Sequence, residues 1–187
     1  MLWLIVVLPV LIFFFGIIVD VSRIWLARVE LTNALEAAAL SGVKTWERDH
    51  GDLSAPRTSA QTAAAANTVI GLTSVSGSSP QRSTVNLELN GGGNPSNNGN
   101  ADLYGQILLG KLTPAADGAR FEFHPDQTPQ DEGEFAVCAQ KKIQLQSVWN
   151  KFFGNAVGPY HISCNAVAVF NAGQPRIVAV KPVVVTP

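Results

Sequence analysis

From Leu2 to Val19 the chain carries no charged residue, and from Asp20 onward it turns amphipathic without losing its helical rhythm. At about 1.5 Å per residue the uncharged run spans roughly 27 Å, close to the ~30 Å core of a bilayer. A helix is the one local structure that satisfies its own backbone polar groups there. Pro9 and Gly16 are better tolerated in membrane helices than in soluble ones, and Trp3 and Trp25 stand near the two ends, where indole rings favour the interface. The pattern predicts a membrane helix whose core includes Leu4, Leu8, Pro9, Leu11, Phe14, Phe15, Gly16 and Ile18. A buried core helix rarely stays charge-free this long. A cleaved signal would want basic residues ahead of a shorter core and a small-residue cleavage site.

Beyond the run, Val21, Ile24, Leu31, Leu35, Ala38 and Gly42 recur at threes, fours and sevens, with Arg23, Glu30 and Glu36 opposite. The spacing predicts that the helix continues to about residue 50. The stripe has two readings: packing on the chain's own domain, or packing between subunits, with Asp20 and Arg23 at its membrane end. Asp20 itself reads as facing water, with pairing to Arg23 or to a partner's basic residue as the alternative. The expected organisation is a long helix over 1–50, transmembrane in its first ~19 residues, and an exported domain over 51–187.

In that domain the pattern predicts a second helix over Pro56 to Ile70, with Ser54 as its cap and Gly71 as its stop. Alternation then predicts strands over Thr84 to Leu89, Ala119 to Phe123, Phe135 to Leu145 and Tyr160 to Phe170. Ala101 to Leu112 reads as either a short helix or a strand. Val148 to Phe153 reads as a helical turn with Phe152 and Phe153 plugging the core. Arg176 to Val185 is β-branched, but Pro182 confines it to an edge or a tail. The fold class is therefore α+β: a long N-terminal hydrophobic helix, a second helix and a small antiparallel sheet, broadly pilin-like.

Composition changes this picture little. Charged residues make up 14% of the chain and the formal net charge is −1, so nothing draws it to nucleic acid. Arg23 and Arg28 follow the apolar run and none precedes it, which by the positive-inside rule would put the rest of the chain in the cytoplasm. Asp20 and Glu30 offset those two charges. The Ser-, Asn- and Gly-rich sequence beyond them favours an exported domain.

Candidate chemistry is sparse. The Gly91 to Asn100 loop lacks the Gly-Lys-Ser/Thr ending of a phosphate loop. His50, His124 and His161 show no ligand spacing. Asp126, Asp131, Glu132 and Glu134 read as a solvated acidic loop rather than a calcium site. Cys138 and Cys164 fall on the last two main predicted strands. If those pair, the cysteines come within disulfide range and are expected to form one; the alternative is two buried thiols. No cofactor and no catalytic residue is expected.

Several motifs point to a family. Pro9, Phe15-Gly16, Val19-Asp20-Val21, Arg23, Leu26, Arg28, Leu31, Asn33-Ala34 and Ala37-Ala38-Ala39-Leu40-Ser41-Gly42 resemble the N-terminus of TadG-like proteins, of the TadE/TadG group of tight-adherence (Flp-type) pilus assembly. Phe152-Phe153-Gly154, with Ile162 to Val169, is similar to that family's closing strand. Two departures stand out. The basic residues and glycine that usually precede the membrane segment are missing, which predicts a start further upstream. The chain is also too short for the large adhesion-like domain of many members. The resemblance implies a structural or assembly component of a pilus, held in the inner membrane with its domain outside or packed in an extracellular filament. Its implied partners are membrane lipid, copies of itself, other pilus subunits and Tad assembly proteins. Type IV pilins carry a glutamate at the fifth mature position; here that position is Ile5, which favours an accessory or non-classical subunit. A single-span extracytoplasmic binding or sensor domain, which predicts a well-formed pocket, is the alternative. An anchored hydrolase lacks any motif.

Overall fold

The structure, a computed structural model, describes residues 2–48, 52–71, 82–89, 105–114, 121–125, 134–149, 158–171 and 173–179. The protein is α+β. Helix α1 (Leu2–Arg48) runs for 47 residues and passes through Pro9 without a break. Helix α2 (Ser54–Ala65) lies against its C-terminal part. A small ladder joins β1 (Thr68–Ile70) to β2 (Arg82–Thr84). The main sheet is antiparallel throughout and contains β3 (Ile107–Pro114), β4 (Phe121–Pro125), β5 (Glu134–Leu145), β6 (Tyr160–Asn171) and β7 (Gln174–Val178), in the order β4-β3-β5-β6-β7. The two 12-residue strands, β5 and β6, form its centre, and the short strands β4 and β7 its edges.

Strand parity divides the core in two. Val137, Ala139, Ile143 and Leu145 of β5, with Ile162, Cys164, Ala166 and Ala168 of β6, face α1. Ala136 and Cys138, with Val167 and Val169, face the other way and form a second cluster with Leu108, Leu112 and Phe123. On α1 the packed stripe is Ala27, Leu31, Ala34, Leu35, Ala38, Ala39, Val43 and Trp46, every one fully buried. Four alanines in that stripe let helix and sheet approach closely. At Gly42 a Cβ would stand 3.1 Å from Val137, 3.2 Å from the Pro56 carbonyl oxygen and 3.3 Å from Ala60, so three elements meet on its missing side chain. Trp46 closes the stripe edge-to-face on Phe135, centroids 4.9 Å apart.

Several sequence expectations change. The second helix is shorter than Pro56 to Ile70, because residues 68–70 enter a strand instead. Ser54 is its first helical residue rather than its cap, and the helix's first N–H groups are met by Asp52, one residue before the Leu53 cap position: Oδ1 accepts the Ser54 and Ala55 N–H groups and the Ser54 hydroxyl. These bonds hold the Asp52 carboxyl below the usual aspartate range. Residues 85–89 alternate as predicted, Val85 and Leu87 buried between exposed Asn86 and Glu88, yet they join no ladder. The Val85 N–H still donates to the Asn67 carbonyl at 3.0 Å; beyond it side chains hold the segment: Gln61 donates to the Leu87 carbonyl at 2.8 Å, Lys141 to the Asn86 carbonyl at 2.6 Å, and the Glu88 N–H donates to Gln106 at 3.0 Å. Burial at Lys141 lowers its ammonium pKa, and Glu88 opposes the shift. Of the two readings for Ala101 to Leu112, the described part is strand from Ile107 onward. Phe152, Phe153, Pro182 and the Gly91 to Asn100 loop lie outside the described residues.

Candidate functional site

The chemistry of this chain concentrates where α1 changes character. Among the described residues one helix, α1, is long and apolar enough to cross a membrane, and only 6% of its most apolar stretch is buried in the protein. That low burial separates it from the core helix of a soluble fold, which would be mostly covered. Leu8, Leu11, Phe14, Phe15 and Ile18 are all exposed, as is Trp3. Leu4 and Pro9 lie within the same helix.

The domain first grips α1 at the end of this run. Asp20, expected to face water, is instead 4% exposed. Its carboxylate accepts the Ser147 hydroxyl at 2.5 Å and the Val148 N–H at 3.0 Å, and Arg23 Nη1 stands 3.8 Å away, one turn on. The donors come from the turn that follows β5, where the Ser147 Oγ also accepts the Trp149 N–H at 3.1 Å. Two donors on one carboxylate suit a charged acceptor removed from water. The same turn reaches back toward the apolar half: the Trp149 ring lies 5.6 Å from that of Phe13, centroid to centroid. It also covers Gly16 so closely that a Cβ there would fall 2.2–2.5 Å from the indole. Gly16 is thus explained by the ring it admits.

Further along α1 a second tie forms. Glu30 accepts the Ile70 N–H at 2.9 Å and an Arg82 N–H at 2.5 Å, fixing the β1–β2 ladder to the helix. Ser41, Thr45 and Ser59 then join α1 to α2 through hydroxyls 2.7 and 2.9 Å apart. They line an open groove with Thr58 and Thr62. The groove contains no titratable side chain and is shallow, so it does not form the enclosed, convergent pocket a small ligand needs.

Of the residues read as packing either on the chain's own domain or between subunits, Leu31, Leu35, Ala38 and Gly42 are buried against the chain's own domain, and Ile24 packs at its margin. Val21 alone is strongly exposed; Trp25, Leu26 and Val29 extend its exposed patch on the side of α1 away from the sheet.

The expected disulfide is a correction. Cys138 and Cys164 are both free and buried. In the β5–β6 register Cys138 lies opposite Val167 and Cys164 opposite Lys141, three positions apart, or about 10 Å along the strands. An odd offset also sends the two sulfurs to opposite faces of the sheet: Cys164 toward α1, near the Arg28 carbonyl, and Cys138 into the second cluster. Burial pushes the Cys138 thiol up to about 12, so it is no nucleophile at neutral pH.

Among the described residues no group of three or more His, Cys, Asp or Glu side chains converges as a metal site would. His124 bonds to Thr113 at 2.9 Å, and Glu134 is engaged by Asn171 and by Arg176 at 3.6 Å. Asp126, Asp131, Glu132 and His50 lie outside the described residues.

A long apolar helix held by its second half on an antiparallel domain, with a carboxylate clasp at the change of character, defines a class: a compact domain carried on one exposed hydrophobic rod. Within that class, residues 1–45 match the family model described as putative Flp pilus-assembly TadE/G-like. The matched stretch takes in the apolar run, the Asp20 junction and the alanine-rich stripe, and it agrees with the resemblance carried by those motifs. No curated protein and no solved structure matches the chain.

Proposed function

We propose that this chain is a structural or assembly component of a Flp/Tad-type pilus. In this reading residues 1–50 form the anchoring helix, the first ~19 residues lie in the inner membrane, and residues 51–187 form the extracytoplasmic domain. Its partners are membrane lipid, pilus subunits and Tad assembly proteins. One observation carries the reading: the stretch matched by the pilus-assembly family is the helix whose apolar half stands clear of its own domain. A structural role also fits a family described by assembly rather than catalysis.

The test is fractionation of cells expressing the chain. Shearing followed by pelleting of extracellular material separates filaments from cells, and detergent then releases integral membrane proteins. Recovery in sheared filaments assigns α1 to a filament core. Retention in the inner membrane until detergent is added assigns the chain to anchoring or assembly. Release as a soluble protein without shear or detergent sinks both forms of the proposal.

A further inference from the structure

The two faces of α1 run out of apolar surface at different heights. On the face toward the domain, the run ends at Asp20, held by the Ser147 hydroxyl and the Val148 N–H. On the other face it continues through Val21, 60% exposed, to Trp25, 68% exposed. Five residues put Asp20 and Trp25 about 140° apart around the helix and roughly 7–8 Å apart along it.

The two indoles nearest this boundary pose the same problem. Trp149 lies beside Phe13 and Gly16, and Trp25 lies on the far side of the helix. On an upright helix their heights differ by about ten residues, or roughly 15 Å. The interfacial layer that indoles favour is only about 5–7 Å deep. An upright helix would therefore strand one ring, either Trp149 well inside the acyl region or Trp25 well out in water.

We propose that α1 leaves the bilayer tilted away from the sheet by roughly 35°, the angle at which a 7–8 Å step across an 11 Å helix becomes level, and that Val21, Trp25 and Trp149 together form a lipid-docking face. This inference rests on the membrane-anchored reading above. The tilt lies within the 0–40° range of membrane helices. The carboxylate clasp explains how the domain reaches this depth: Asp20 meets the boundary already paired with two donors, and the indole one turn deeper covers Gly16. The height of the exposed patch indicates lipid rather than a partner helix. After Leu26, the exposed positions of α1 other than Val29 are Arg28, Asn33, Lys44 and Arg48. A helix lying along α1 would want apolar positions there, whereas a planar boundary ends where the patch ends.

The experiment places the full chain in phosphatidylcholine vesicles made with lipids brominated either just below the headgroup or deep in the acyl chain. Each indole's signal is obtained by subtracting the emission of Trp25→Phe, Trp149→Phe or Trp3→Phe from that of the unaltered chain. Trp25 and Trp149 should both lose about twofold or more of their emission to the shallow bromines, and less to the deep ones. A Trp25 quenched by aqueous iodide and spared by both brominated lipids means an upright helix and overturns the inference. A Trp25 spared by iodide and by bromine alike is covered by protein, which overturns it as well. Trp3 separates the two levels of the argument. If Trp3 is quenched and Trp25 is not, only the tilted docking face fails; if neither is quenched, the membrane-anchored reading fails with it.

Discussion

Replacing Asp20 with alanine tests the clasp most directly. The residue is 4% exposed and its carboxylate accepts two hydrogen bonds, one from the Ser147 hydroxyl and one from the Val148 N–H. Bonds to a charged acceptor contribute about 1.5–3 kcal/mol each. Removing the carboxylate also relieves the cost of burying it, so the lower figure applies and the loss should be about 3 kcal/mol. Arg23, at 3.8 Å, adds little. For a chain of this size each kcal/mol moves the melting midpoint by about 2–4 °C, so Asp20→Ala should lower it by about 6–12 °C. Asp20→Asn keeps an oxygen for the Val148 N–H and should lose about half as much. The assay is thermal unfolding in detergent micelles, followed by near-ultraviolet circular dichroism. Asp20→Ala and Ser147→Ala remove the same bond, so the double variant should melt little below Asp20→Ala alone. If Asp20→Ala moves the midpoint by less than about 2 °C, or the two losses add in full, the clasp is not holding the domain to the helix.

Three further predictions follow from single positions. Gly71→Ala should destabilise the protein by about 2–3 kcal/mol, since its φ of +84° strains any side chain and a Cβ would meet Leu145 at 2.1 Å; Gly173→Ala, at φ +81° in open space, should cost about 1 kcal/mol, and equal midpoints for the two would refute the packing term. Neither cysteine should react with an aromatic disulfide reagent until the protein unfolds, and a reductant should leave the midpoint unchanged; a reductant-sensitive midpoint would contradict the opposite-face placement. Because the folded carboxyl of Asp52 titrates below the ordinary aspartate value of 3.8, the stability it lends α2 is present above that value and is lost as the pH falls through the folded one; acid titration of Asp52→Ala should therefore show a shallower loss of helix signal than the parent.

Periodicity made the framework of this protein readable. The uncharged run, the stripe from Leu31 to Gly42 and the alternation in β5 and β6 each report burial, and burial is what the fold conserves along those elements. The same signal misled where burial and pairing separate. Residues 85–89 alternate because Val85 and Leu87 enter the core, yet past the Val85 N–H, which donates to the Asn67 carbonyl, side chains from α2, β5 and Gln106 hold their backbone. The cysteines were misjudged through register: both strands were found, but disulfide range depends on which residues lie opposite, and a three-residue offset is invisible in either strand alone. Asp20 was misjudged for a related reason. Its donors lie 127 and 128 residues away in a turn with no motif of its own, so nothing local distinguished a clasped carboxylate from a solvated one. Trp149 and Gly16 were the available clue, an indole and a gap at one level, and they become a pair only once β5 is laid along the helix.

The division of α1 into a covered and an open arc bears on how any assembly through this helix must be probed. Bulk at Ala38 would look like a natural block to helix packing between subunits, but Ala38 is fully buried under the chain's own sheet and second helix. Ala38→Trp must displace that packing, and overpacking a close-fitted core costs typically 1–3 kcal/mol and more for the largest insertions. The expected result is a chain that melts at least about 6 °C lower, with any loss of assembly following from loss of fold. Asn33→Trp, on the exposed arc of the same helix, should leave the midpoint within about 2 °C, since surface substitutions usually stay within ±0.5 kcal/mol. Fractionation and melting measured on both variants separate the cases. An Ala38→Trp chain that melts like the parent yet no longer assembles would mean that the stripe faces another subunit, and that the domain does not lie on α1 as described.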